Sequence, residues 1–124
     1  MSAGTWPLFL LAAAVGAVAR YLIDRAVTAR RGDGFPWGTT LINVSGSFVL
    51  GLITGLGLYH AFPGDARLVL GTGFCGAYTT FSTFAFETVR LAGEGRVGAA
   101  ARHVAWNTVG GLLAAASGLI VAAL

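Results

Sequence analysis

Charge is scarce in this 124-residue chain: aspartate, glutamate, lysine and arginine make up 10% of it, and lysine is absent altogether. A soluble domain ordinarily devotes about a quarter of its residues to charge. With 56% of residues hydrophobic and a mean hydropathy of +0.76, the chain reads as an integral membrane protein. A single cysteine, Cys75, excludes an intrachain disulfide and offers no thiolate cluster for a metal. The positive charge is scattered at the ends of apolar runs rather than gathered on one face, which argues against nucleic acid as a partner. No lysine or arginine precedes the first apolar run, so that run is expected to be a first helix and not a cleavable leader. No internal repeat is evident.

Uncharged runs extend over residues 1–19, 34–64, 68–86 and 103–124, each close to or above the roughly 18 to 20 residues that a spanning helix needs. They predict one four-helix transmembrane domain, residues 1–124, with helices at about 6–27, 37–62, 66–91 and 97–124. Trp6, Trp37 and Tyr59 fall near the predicted ends, where interfacial aromatics belong. The connections hold Gly32, Asp33, Gly34 and Pro36, then Pro63, Gly64 and Asp65, then Gly93, Glu94 and Gly95, all turn formers. Loops this short leave no room for a nucleotide fold or an extramembrane active site, so the function is expected inside the membrane and not to be enzymatic. Arg25, Arg30, Arg31, Arg90, Arg96 and Arg102 flank the first and third connections, against Arg67 alone on the other side. That six-to-one bias predicts both connections in the cytoplasm and both termini outside.

The third run is a poor helix. Gly73 to Phe84 reads Gly-Phe-Cys-Gly-Ala-Tyr-Thr-Thr-Phe-Ser-Thr-Phe. Its glycines and hydroxyls invite a break at membrane depth, where backbone groups freed from the helix find no partner in lipid. Such a break is usually kept for an ion or a polar path. Thr79, Thr80, Ser82 and Thr83 supply hydroxyls, Phe81 and Phe84 lie three apart, and Glu87 follows one turn later. A phenyl ring edge carries the positive side of its quadrupole and can meet an anion without trapping it. In the second run Asn43, Ser47, Gly51 and Gly55 recur every four residues on one face. Close helix packing accounts for the glycines, whereas the Asn43 amide needs a partner or water. The fourth run repeats the spacing with His103, Asn107 and Gly111. His103 reads as an interfacial residue and Asn107 as one that lines a path or bridges helices. Arg20 and Asp24, one turn apart, suggest a snorkelling arginine with a local ion pair.

Together these residues resemble the Fluc (CrcB) family of fluoride channels. The likeness runs through Gly16, Ala17, Arg20 and Tyr21, then Gly38, Thr39, Asn43, Gly46, Phe48 and Gly51, then Gly73, Phe74, Gly76, Thr79, Thr80, Phe81, Ser82, Thr83, Phe84 and Glu87. It implies an all-α cell-membrane protein with a third helix broken at mid-membrane, working as an antiparallel dual-topology dimer. It implies passive efflux of fluoride from the cytoplasm, which limits fluoride toxicity. Asn43, Phe81, Phe84, Ser82 and Thr83 would line the fluoride pore, and the backbone carbonyls of Gly76 and Thr79 would hold a structural sodium ion at the dimer interface. Arg20, Glu87, His103 and Asn107 would serve the vestibule or a polar track. The chain departs from the family pattern at Ala77, where a second glycine is common, and in its fourth helix, where a tyrosine and serines are common. The one-sided arginines imply an oppositely oriented paralogue as partner rather than a homodimer. The competing readings are a small multidrug-resistance-type exporter, which would need an acid that residues 1–19 lack, a proton-coupled carrier using Glu87, and a structural subunit.

Overall fold

The computed structural model describes residues 2–124, and every regular element in it is helical. Helices α1 (Thr5–Arg31) and α2 (Trp37–Tyr59) are followed by α3 (Gly64–Arg67), which continues without interruption through a π-helical stretch, Leu68–Cys75, into α4 (Gly76–Tyr78). After a break at residues 79–81 come α5 (Ser82–Gly93) and α6 (Val97–Ala122). Helices α1, α2 and α6 are each long and apolar enough to cross a membrane, and the interrupted stretch from α3 to α5 lies between α2 and α6 in the chain.

The helix ends follow local chemistry. Helix α1 runs four residues past its expected end because nothing stops it before Gly32, which adopts φ 75° and returns its N–H to the Thr28 carbonyl at 2.8 Å. Helix α2 stops at Tyr59, short of the expected residue 62. Ala61 turns to φ 52° there, and Phe62, which precedes Pro63, is pushed out of the helical region.

The most extensive packing joins α2 to α6. Gly51 lies so close to Ala115, and Gly118 to the backbone of Phe48 and Leu52, that an added methyl on either would fall on main-chain atoms. Gly55 lies as close to the Ala122 side chain. The four-residue face read from the sequence is thus a seam of small residues, the device by which helices approach closely where no hydrophobic force separates protein from lipid. Helix α1 rests mainly on the π-helical stretch and α4, with Gly16 against the Phe74 carbonyl.

At one end of the bundle Arg96 donates to the Gly34 carbonyl, and Phe35 packs on buried Leu91, Ala99 and Ala100. The first and third connections therefore share an end. At the other, the Thr5 hydroxyl bonds Asp65, holding that carboxyl below the usual carboxylate range, and His60 bonds the Ala122 carbonyl at 2.7 Å. Leu8, Leu11, Val15, Leu22, Leu112 and Leu113 are exposed along the outer faces of α1 and α6. Such surface is costly in water but suits lipid, and the protein is a multi-pass membrane protein.

Candidate functional site

The break begins at Thr79, whose backbone is extended at φ −77°, ψ 161°, and ends at Phe81, which is helical again. In an unbroken α-helix the Thr80 N–H would bond the Gly76 carbonyl. Here it donates instead to Asn43 Oδ1 at 2.9 Å, while Asn43 Nδ2 donates to the Thr80 carbonyl at 3.0 Å. One side-chain amide thus satisfies both main-chain groups of Thr80, which is how the break survives away from water. The Thr80 hydroxyl accepts the Thr83 N–H at 3.2 Å and starts α5.

From Asn43 the polar contacts continue to α6. Asn43 Nδ2 also donates to Asn107 Oδ1 at 2.9 Å, and Asn107 Nδ2 donates to the His103 carbonyl at 2.9 Å and to Thr40 Oγ1 at 3.2 Å. Asn107 accordingly bridges helices, as its spacing suggested.

His103 does not face lipid or solvent. It is wholly buried, with the rings of Phe84 and Phe35 at 5.3 and 5.7 Å. Its Nε2 stands 3.3 Å from Glu87 Oε2, and among the described residues neither atom has a well-directed hydrogen-bond partner. The other Glu87 oxygen accepts from Thr39 Oγ1 at 3.0 Å. Arg20 likewise departs from expectation. No Arg20–Asp24 ion pair forms among the described residues; the guanidinium reaches the break instead, at 3.4 Å from the Thr79 carbonyl. An i, i+4 pair costs side-chain entropy for little gain, and a carbonyl freed by the break is a competing acceptor.

A cavity of about 310 Å³ opens along the break, lined by Asn43, Ser47, Thr80, Phe81, Phe84 and Asn107 among others. The Phe81 and Phe84 rings are 5.7 Å apart and tilted, and Phe81 is 79% exposed, so the groove is open on one side. Thr83 falls elsewhere, in a second cavity of about 190 Å³ with Arg20, Asp24, Thr39 and Thr80. Ser82 is exposed and lines neither cavity. The residues expected to line one pore are therefore divided: Asn43, Phe81 and Phe84 share the groove, and Ser82 and Thr83 do not. Gly76 is exposed, with nothing within 4 Å of where a side chain would begin. Two partners were not anticipated. Thr40 lies three residues before Asn43, off the four-residue spacing, which extended backwards reaches Thr39 instead; the Ser45–Tyr78 hydroxyl contact at 2.9 Å likewise carried no signal.

Fold and site together define a polytopic membrane protein whose interrupted helix opens a polar groove edged by phenyl rings. The chain belongs to the CrcB family: residues 8–119 match the family described as "CrcB-like protein, Camphor Resistance (CrcB)". It is 46% identical over 114 residues, 92% of each chain, to the "Fluoride-specific ion channel FluC 1" of Streptomyces avermitilis. It is 56% identical over 90 residues, 69% of this chain and 66% of the relative, to the protein of the same description from Leifsonia xyli subsp. xyli. A "Fluoride-specific ion channel FluC 2" of Mycobacterium bovis is 40% identical over 122 residues, 98% of this chain and 94% of its own. The family is one of ion channels, not enzymes.

Proposed function

We propose that this chain is a fluoride-specific channel subunit that lets fluoride leave the cytoplasm passively. The observation that carries the reading is the Asn43–Thr80 lock beside the Phe81–Phe84 pair, all in one groove. Fluoride is small and strongly hydrated, so a selective path must replace its water with donors at several weak sites. The Asn43 amide hydrogens are held by Thr80 and Asn107, so the donors offered to the ion are the Ser47 and Thr108 hydroxyls and the positive ring edges, which do not arrest it as a full cation would. Asn43, Phe81 and Phe84 form the conducting groove; Thr83 and Arg20 belong to an approach beside it, and Ser82 to the surface that continues the track. Efflux from sodium-loaded liposomes, followed with fluoride- and chloride-selective electrodes, tests this. The expected result is fluoride release with chloride retained; equal release of both ions overturns the reading.

The open side of the groove, with Phe81 exposed on it, supports a second chain there, inserted the opposite way. A structural sodium ion at that junction fits the residues in part. The Gly76 carbonyl has lost its usual donor to Asn43, and Gly76 is exposed, which leaves an oxygen for a hard cation to claim. The Thr79 carbonyl faces the Arg20 guanidinium only at the long limit of a hydrogen bond, 3.4 Å. Sodium there would tie two chains together through main-chain oxygens.

The six arginines at one end against Arg67 at the other favour a single orientation, so we propose an oppositely oriented paralogue as the partner. The relatives carry the numbers FluC 1 and FluC 2, as channel pairs would. Reporter fusions at the C-terminus are expected to give an external signal only; comparable signals on both sides would establish dual insertion and a homodimer. A partly buried Glu87 beside His103 favours one alternative, a proton-coupled carrier. Uphill fluoride movement driven by a pH gradient identifies it.

A further inference from the structure

Two amide side chains in the groove have their orientations dictated by main-chain atoms, and those orientations reach His103. The Thr80 N–H can only donate and its carbonyl can only accept, so Asn43 must present Oδ1 to the first and Nδ2 to the second. Asn43 Nδ2 then obliges Asn107 to present Oδ1, at 2.9 Å. Asn107 Nδ2 is thereby turned toward α6, where it donates to the His103 carbonyl and lies 3.2 Å from His103 Nδ1. The two Nδ2 hydrogens are shared among three positions, the His103 carbonyl, Thr40 Oγ1 and His103 Nδ1, and because an amide nitrogen cannot accept, the contact suits an Nδ1 that carries no proton. The imidazole proton is therefore on Nε2, the atom facing Glu87.

We propose that His103 is a positioning residue for the groove, held in its Nε2–H form by an amide relay that starts at the helix break, and that a second proton on His103 undoes the relay and lowers conduction. The proposal rests on the conducting role given above to Asn43. A proton on Nδ1 would set N–H against the Asn107 N–H. If Asn107 turned to accept it, its Nδ2 would face Asn43 Nδ2, donor against donor, and the Asn43–Asn107 bond would be lost. Asn43 cannot turn in response, because both Thr80 main-chain groups hold it. Acid therefore acts on the pore residue through one intermediate, Asn107, that does not itself titrate.

The groups around His103 are few. From α5 it meets Glu87, and from α1 Asp24 is close enough to act on that carboxylate. Helix α2 offers only the Thr39 and Thr40 hydroxyls nearby, bonded to Glu87 and Asn107. In the first connection Phe35 lies between helices, with the Arg102 guanidinium 5.5 Å from its ring centre.

The test is fluoride current across a planar bilayer at several pH values, with the paralogue included if conduction requires it. Current excludes the neutral hydrogen fluoride that leaks through lipid in acid. Each protein is normalised to its own current at about pH 7.5. Between about pH 7.5 and 5.5 the wild-type current is expected to fall about fivefold or more. His103→Gln offers a donor and an acceptor without titrating and is expected to give a flat profile, whereas Glu87→Gln is expected to keep the acid loss. A flat wild-type profile, or an acid loss retained in His103→Gln, overturns the proposal. Nitrogen-15 NMR of labelled histidine, in protein carrying His60→Gln so that one signal remains, reads the relay independently of current. An unprotonated Nδ1 near neutral pH is expected, and a protonated Nδ1 with bare Nε2 overturns the relay. Absence of fluoride current at any pH would remove the channel reading while the NMR result still decides the tautomer.

Discussion

Asn43→Asp is expected to leave the protein folded and to reduce fluoride flux by about a hundredfold or more. The two side chains have the same shape, so packing against α6 is retained. Their chemistry differs where it counts. An oxygen replaces Nδ2 and faces the Thr80 carbonyl at 3.0 Å and Asn107 Oδ1 at 2.9 Å, acceptor against acceptor at both contacts. The carboxylate also sets a negative charge on the wall of an anion path. At 4 Å and an effective dielectric of 20 the repulsion between unit charges is about 4 kcal/mol. Each 1.4 kcal/mol or so corresponds to a factor of ten, so allowing for relaxation still leaves about two decades. Fluoride efflux at matched protein loading checks this, with a symmetrical gel-filtration peak as the control for folding. Asn43→Ala is the companion variant: it adds no charge but leaves the Thr80 N–H without its partner, at about 1–3 kcal/mol in stability. Flux within threefold of wild type for both would remove Asn43 from the pore.

The largest effect on stability is expected from a single methyl. Gly118→Ala places a Cβ on the Phe48 carbonyl and the Leu52 nitrogen across the α2–α6 seam, and main-chain atoms cannot step aside as a flexible side chain can. The helices must separate, which puts the cost at or above the upper end of the roughly 1–3 kcal/mol typical of overpacking. Gly98→Ala is the internal control. It lies in the same helix with nothing within 4 Å of the new atom, and exchanging glycine for alanine in an open helical position is worth about 1 kcal/mol in favour of folding. Thermal unfolding in detergent is expected to move in opposite directions for the two variants. Equal shifts would mean that the seam is looser than its geometry indicates.

Hydropathy made the helical passes and the turns between them legible in the sequence, since apolar runs and glycine–proline loops are local properties. The presence of a break was legible for the same reason, because glycine and threonine weaken a helix wherever they fall. Its internal form was not. Nothing in residues 68–75 announces a π-helix, because that geometry depends on Gly71 and Gly73 fitting between α2 and α1. Side-chain partners were legible in part within one helix, as for His103 with Asn107, and poorly between helices. Periodicity grouped Asn43 with its seam and His103 with Asn107, yet it could not place Glu87 against His103, since those two meet only after α5 and α6 pack. The local Arg20–Asp24 pairing misled for a related reason. The carbonyl that draws Arg20 away exists as an acceptor only once the helix has broken.

The lock on the break joins a side chain to a main chain. Asn43 touches only the N–H and carbonyl of residue 80, and those would be offered by almost any amino acid there. Substitution at 80 can therefore leave the lock standing, while substitution at 43 cannot be compensated at 80. Between Asn43, Asn107 and His103 the contacts are chiefly side chain to side chain, and a change at one asks for a matching change at the next. Across sequences sharing this fold, correlated substitution would expose the relay and pass over the contact that holds the pathway open.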